Sequence, residues 1–134
     1  MNGRTTTRVK DVMKTGFDLV DGLDSIADAL RQAQHPDTKC LLVKKRDEND
    51  EHGIVTYADI AKQVLAKDKA PERVNIYEIM TKPVLGVDPA MDIRYCARMF
   101  ENFGLSRAPV LDNGRVIGIV GYTDLVLHGL MDKL

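Results

Sequence analysis

Thr56 and Asp59 stand three residues apart in Gly53-Ile54-Val55-Thr56-Tyr57-Ala58-Asp59, where a β-rich run gives way to a helical pattern. A helix start offers unpaired backbone N–H groups and a partial positive charge, which suit a polar or anionic ligand. A hydroxyl and a carboxylate at this spacing face the same mouth, and a carboxylate can accept two hydrogen bonds from a vicinal diol such as a ribose. Thr-x-x-Asp is also the spacing of a capping box, in which both side chains serve the first helical turn. Both readings stand, because a capped turn still presents its outward oxygens. The pattern returns 65 residues later as Gly118-Ile119-Val120-Gly121-Tyr122-Thr123-Asp124, with Gly121 in place of the hydroxyl. Asp124 therefore lacks its partner oxygen. Arg107, at a strand entry before Ala108-Pro109-Val110, has the fork geometry to clamp phosphate oxygens, or equally to join a surface ion pair. Lys39-Cys40 hold the matching place in the earlier copy, and a lysine there is a point charge rather than a fork.

Other chemistries find no support. Asp47 to Gly53 superficially resembles a calcium loop, but the glycine is misplaced and Ala58 stands where a bidentate Glu belongs. His35, His52 and His128 have no ligand spacing. No phosphate loop for hydrolysis and no nucleophile motif occur, so the expectation is a protein that is not an enzyme and requires no cofactor. A formal charge of −1 argues against nucleic acid as a partner. Cys40 and Cys96 sit singly in apolar runs and read as small buried hydrophobes in a reducing compartment. With neither a signal segment nor a run of 18 apolar residues, the expectation is a soluble, cytoplasmic chain without a membrane partner.

The elements that must position these residues come in duplicate. Asp11-Val12-Met13-Lys14-Thr15 returns as Glu78-Ile79-Met80-Thr81-Lys82, a shift of 67 that also aligns Ile26 with Ile93 and Val43 with Val110. Two copies of one supersecondary unit imply a pseudo-twofold object, in which any cleft between the copies comes in two related versions. Ile26, Ala29, Leu30 and Ala33 form a helical stripe, and Ile93, Cys96, Ala97 and Phe100 repeat it in register. Asp24-Ser25 and Asp92 supply the capping chemistry. Strands follow at Cys40 to Val43, Gly53 to Val55, Ala108 to Leu111 and Val116 to Val120, and Asn113-Gly114 signals a type I′ hairpin. Closing helices carry Ile60, Ala61, Val64 and Leu65 in one copy, and Leu125, Val126, Gly129 and Leu130 in the other.

A β-α-β-β-α unit of this kind, opened by Val-Met or Ile-Met and closed by Gly-Ile-Val-x-x-x-Asp, resembles a CBS domain; in tandem it resembles a CBS pair, or Bateman module. The resemblance covers roughly residues 8 to 131 and is densest from Ser106 to Asp124. It implies an α+β fold of two pseudo-symmetric repeats packed through their sheets. The organisation expected is residues 1–7 as a disordered leader, 8–66 as the first CBS motif, 67–75 as a linker and 76–131 as the second. It further implies a regulatory module that senses an adenosine-containing ligand, with AMP, ADP, ATP, NAD and S-adenosylmethionine as candidates, in clefts between the motifs. Thr56 and Asp59 would meet ribose and phosphates, and Arg107 would meet the phosphates of the same nucleotide. Thr15 and Phe17, with Pro83 and Val84, would wall an adenine ring beside Ala108. Lys39, Gly121 and Asp124 would form a weaker counterpart. The resemblance also implies a homodimer through the closing helices and an unidentified regulated protein. The alternative is a scaffold or interaction module of the same fold with no physiological nucleotide.

Overall fold

The computed structural model describes residues 6–134; residues 1–5 of the expected leader lie outside the described residues. The chain divides into two compact units whose boundaries fall inside the sequence repeats. One, here the Asp59 unit, is Phe17–Val84; the other, the Asp124 unit, joins the stretch ending at Gly16 to Leu85–Leu134.

In the Asp59 unit, β1 (Leu19–Val20) runs parallel to β2 (Cys40–Val43), which pairs antiparallel with β3 (Gly53–Thr56). The crossover from β1 to β2 is α2 (Ile26–Gln32), started by Ser25, whose hydroxyl accepts the Asp28 N–H at 3.0 Å. β3 feeds directly into α3 (Tyr57–Ile60). Residues 66–73 are exposed apart from the half-buried Pro71. Val74 is buried and its carbonyl accepts the Ile26 N–H at 2.8 Å. α4 (Ile76–Ile79) follows, and Thr81 then bridges to Ile54, so the opening of the second repeat extends the sheet of the first.

The Asp124 unit runs the same plan. β4 (Arg107–Asp112) pairs antiparallel with β5 (Arg115–Gly121) through a hairpin in which Asn113 and Gly114 have φ of 52° and 78°, the positive values a type I′ turn requires. Val87 bridges β4 in parallel, the place β1 takes in the other unit. α1 (Val9–Val12) leads to Lys14, which bridges Ile119 on β5 as Thr81 bridges Ile54. α5 (Ile93–Phe103) begins at Asp92, whose carboxylate accepts the Arg94 N–H at 2.8 Å, and ends at Gly104 with φ of 66°. α6 (Tyr122–Asp124) starts the closing helix.

Each unit has its own core. Ile26, Ala29, Leu41, Val43, Val55 and Ile76 fill one; Val9, Cys96, Phe100, Ala108, Val110 and Val120 fill the other. Each fully buried aliphatic or aromatic side chain is worth roughly 1.5–3 kcal/mol of transfer free energy. Both cysteines are buried and unbridged, and burial pushes the Cys96 thiol up to about 11.

The closing helices depart from the expected stripe. Val64, Leu125 and Gly129 are buried, but Leu65 is 78% and Leu130 59% exposed. In both copies the helix widens after its first turn: the Ala66 N–H reaches Ala61 O at 2.8 Å, and the Met131 N–H reaches Val126 O. These five-residue hydrogen bonds overwind nothing but shift the following side chains off the 3.6-residue stripe.

Candidate ligand site at the starts of the closing helices

Both glycines that open the repeated Gly-Ile-Val runs exist for close backbone approach. A Cβ on Gly118 would stand 2.6 Å from Lys14 O and 2.8 Å from Met13 Sδ; one on Gly53 would stand 3.1 Å from Met80 Sδ and 3.3 Å from Thr81 O. The strands therefore lie tight against the Met-Lys and Met-Thr segments, and each strand ends at a carboxylate three residues into the next helix.

In the Asp59 unit, Thr56 Oγ1 accepts the Asp59 N–H at 3.0 Å, and Asp59 Oδ2 accepts the Thr56 N–H at 2.9 Å. This is the reciprocal cap that the spacing predicts. Asp59 is half-buried, and its Oδ1 has no partner among the described residues. The Tyr57 N–H donates to Lys39 O at 2.9 Å, and Lys39 itself sits exposed in a left-handed turn with φ of 59°. Desolvation, and then the charge of Asp18, raise the Tyr57 hydroxyl above its ordinary pKa. Asp18 is buried, each of its oxygens accepting one backbone N–H, from Gln34 at 2.8 Å and His35 at 3.0 Å. Phe17 and Val84 are half-buried and Pro83 is exposed; the Val84 N–H donates to His52 O at 2.9 Å. Lys82 is turned onto Asp50 at 2.6 Å, and that lysine, with Arg46, holds the Asp50 carboxyl well below the usual carboxylate range. The acidic loop thus closes on the chain's own cations.

The Asp124 unit differs where it matters chemically. Asp124 is 3% exposed; its Oδ2 accepts the Gly121 N–H at 2.8 Å, and Lys14 Nζ donates to its Oδ1 in an ion pair. Arg107 is half-buried, opposite Gly121 in the strand register, with its Nε donating to Ser106 Oγ at 3.2 Å. Ala108 is fully buried in the core, opposite Val120 in the strand register. Thr15 is exposed.

The expected residues are therefore divided. Thr56, Asp59, Lys39, Phe17, Pro83 and Val84 belong to the Asp59 unit; Thr15, Arg107, Ala108, Gly121 and Asp124 belong to the Asp124 unit. Lys14 was not among the expected site residues, yet it is the cation that meets Asp124. Its signal in the sequence is a mismatch, lysine facing threonine at equivalent positions of the repeat. Among the described residues no cluster of three His, Cys, Asp or Glu is placed to hold a metal, and no helix is long and apolar enough to cross a membrane.

A groove of about 430 Å³ lies in the Asp124 unit, lined by Thr7, Ile93, Ala97, Tyr122, Val126 and Leu130 among others. Beside it Val126, Leu127, Leu130 and Met131 are all at least 41% exposed. That is more apolar surface on one helix than scattered exposure produces.

Comparisons with known proteins agree with this architecture. The family model for the CBS domain matches twice, at residues 9–66 and 76–129. The hexameric CBS-CP12 protein from bloom-forming cyanobacteria superimposes with a TM-score of 0.91 at 30% identity, covering 98% of this chain and 77% of that one. A CBS domain pair crystallised with 5′-methylthioadenosine and S-adenosyl-L-methionine superimposes with a TM-score of 0.79 at 29% identity, covering 97% of this chain and all of that one. Homoserine O-acetyltransferase of Methanosalsum zhilinae is 35% identical over 118 residues, which is 87% of this chain and 23% of the enzyme. The chain spans between 23% and 59% of the first three curated relatives. The chain belongs to the CBS-domain family and carries two CBS domains in tandem.

Proposed function

We propose that this protein is a regulatory module that binds an adenosine-containing ligand, with Asp59 and Thr56 holding the ribose. The observation that carries the reading is Asp59 Oδ1, an acceptor without a partner among the described residues at a half-exposed helix start. An ionised carboxylate placed so can take a diol without giving up its cap. Phe17, Pro83 and Val84 are assigned the apolar contacts for the base. The similar CBS pair that holds methylthioadenosine and S-adenosylmethionine supports this ligand class. Occupancy becomes a signal only if the ligand binds one arrangement of the protein more tightly than another. The protein itself is not an enzyme in this reading.

The exposed apolar face around Val126 and Leu130 is assigned to self-association as a homodimer, and the hexameric relative supports assembly as a habit of the fold. Light scattering at tens of micromolar should report at least a dimer; a strict monomer would remove this part. A scaffold without a nucleotide is the second reading, favoured by Asp124, whose acceptors are already engaged. Thermal unfolding against AMP, ADP, ATP, methylthioadenosine and S-adenosylmethionine at millimolar concentration separates the two. A ligand at 100 times its Kd adds about 2.7 kcal/mol, so at least one compound should raise Tm by several degrees. No shift with any of them would favour the scaffold.

A further inference from the structure

Lys14 and Thr81 occupy equivalent places. Lys14 exchanges backbone hydrogen bonds with Ile119 at 2.8 and 2.9 Å, and Thr81 with Ile54 at 2.9 and 3.0 Å. Each follows a methionine that ends a four-residue helix. Only one of them carries an ammonium. Lys14 Nζ donates to Asp124, whose other oxygen takes the Gly121 N–H, so both oxygens are engaged. In the Asp59 unit the equivalent position is Thr81, which carries no charge, and the neighbouring lysine, Lys82, is committed to Asp50 at 2.6 Å.

We propose that Lys14 is a tethered occupant that closes Asp124 to ligand, and that lysine or threonine at this repeat position decides which helix-start carboxylate can take a diol. The inference rests on the adenosine reading of Asp59 and makes it selective within the chain. A diol hydroxyl at Asp124 must displace a charge-assisted hydrogen bond, which is stronger than the neutral one it offers. It must also compete with a group held on the same chain at high effective concentration. At Asp59 nothing has to be displaced.

Carboxylate labelling tests this without any nucleotide. A water-soluble carbodiimide with an amine converts accessible carboxylates to amides, and peptide mapping reads each position. In the unmodified protein Asp59 should label at least about tenfold faster than Asp124, as charge-assisted engagement of both Asp124 oxygens requires. Thr81→Lys should slow Asp59 by at least about fivefold, and Lys14→Thr should speed Asp124 by a similar factor. Thr81 is exposed, so its lysine variant should fold and decides the matter even if Lys14→Thr does not. Asp59 labelling unchanged by Thr81→Lys, or Asp124 labelling as fast as Asp59 in the unmodified protein, would overturn the proposal. Calorimetry with AMP runs alongside: Thr81→Lys should weaken binding by about tenfold. If AMP binds no variant, the nucleotide reading loses support while the labelling still decides the role of Lys14.

Discussion

The two units are built on one backbone plan and treat one carboxylate in opposite ways. Strand, glycine approach, helix start and widened closing helix recur in both. In the Asp59 unit the carboxylate caps its own helix with Thr56 and keeps one oxygen unengaged among the described residues; in the Asp124 unit it is buried against Lys14. The difference teaches that a tandem repeat conserves geometry more faithfully than chemistry. A single position outside the helix-start motif, Lys14 against Thr81, changes what the motif can do.

Substitutions that act differently on equivalent positions would sharpen or break this comparison. The largest expected effect is at the glycines. Gly118→Ala pushes a methyl into Lys14 O at 2.6 Å, whereas Gly53→Ala meets its nearest atom at 3.1 Å, the end of a flexible methionine. Urea denaturation should show a loss of about 3 kcal/mol for the first and about 1 kcal/mol for the second. Equal losses would mean that the two strands are held alike, against the difference in approach distance.

Next comes the cation. Lys14→Ala leaves a 3%-exposed carboxylate without its ion partner, although Lys14 itself is 29% exposed at the side chain and water partly screens the pair. A cost of about 2 kcal/mol is expected, against under about 0.5 kcal/mol for Thr81→Ala at the exposed equivalent. Chemical denaturation of the two variants side by side is the check. The caps follow: Thr56→Ala should cost about 1 kcal/mol through the lost Oγ1 acceptor, while Gly121→Ser, which has room for its Cβ, should stabilise by only about 0.3 kcal/mol.

The smallest effect is in the acid limb. Asp92 caps α5 where Ser25 caps α2, and hydrogen bonds from the Arg94 side chain and backbone N–H lower its carboxyl to about 2 from the usual 3.8. A depressed carboxyl contributes stability that is present above its unfolded value and is lost as pH falls through the folded one. Stability should therefore decline between pH 4 and 2. Asp92→Ser, the residue of the other unit, should flatten that decline in an acid titration followed by circular dichroism.

Much of this was legible in the residues. Ile26, Ala29, Cys96 and Phe100 fall in the cores as their helical spacing requires, and Asn113-Gly114 makes the hairpin its dipeptide announces. The Thr56–Asp59 cap follows from local chemistry alone. What stayed hidden depends on distance along the chain. Nothing near Asp124 points to a lysine 110 residues earlier, and nothing in Val74 or Thr81 reveals that the opening of one repeat completes the sheet of the other. The widened closing helices were also illegible, because a five-residue hydrogen bond leaves no distinct periodicity in so short a run.

The central claim is that Asp59, and not Asp124, is the carboxylate that meets the ligand. Calorimetry with the adenosine compound that gives the largest thermal shift tests it on Asp59→Ala and Asp124→Ala. Losing a hydrogen bond to a charged group costs about 1.5–3 kcal/mol, so Asp59→Ala should weaken binding at least about tenfold, with Asp124→Ala within about twofold of the unmodified protein. Binding abolished by Asp124→Ala and left intact by Asp59→Ala would contradict the account.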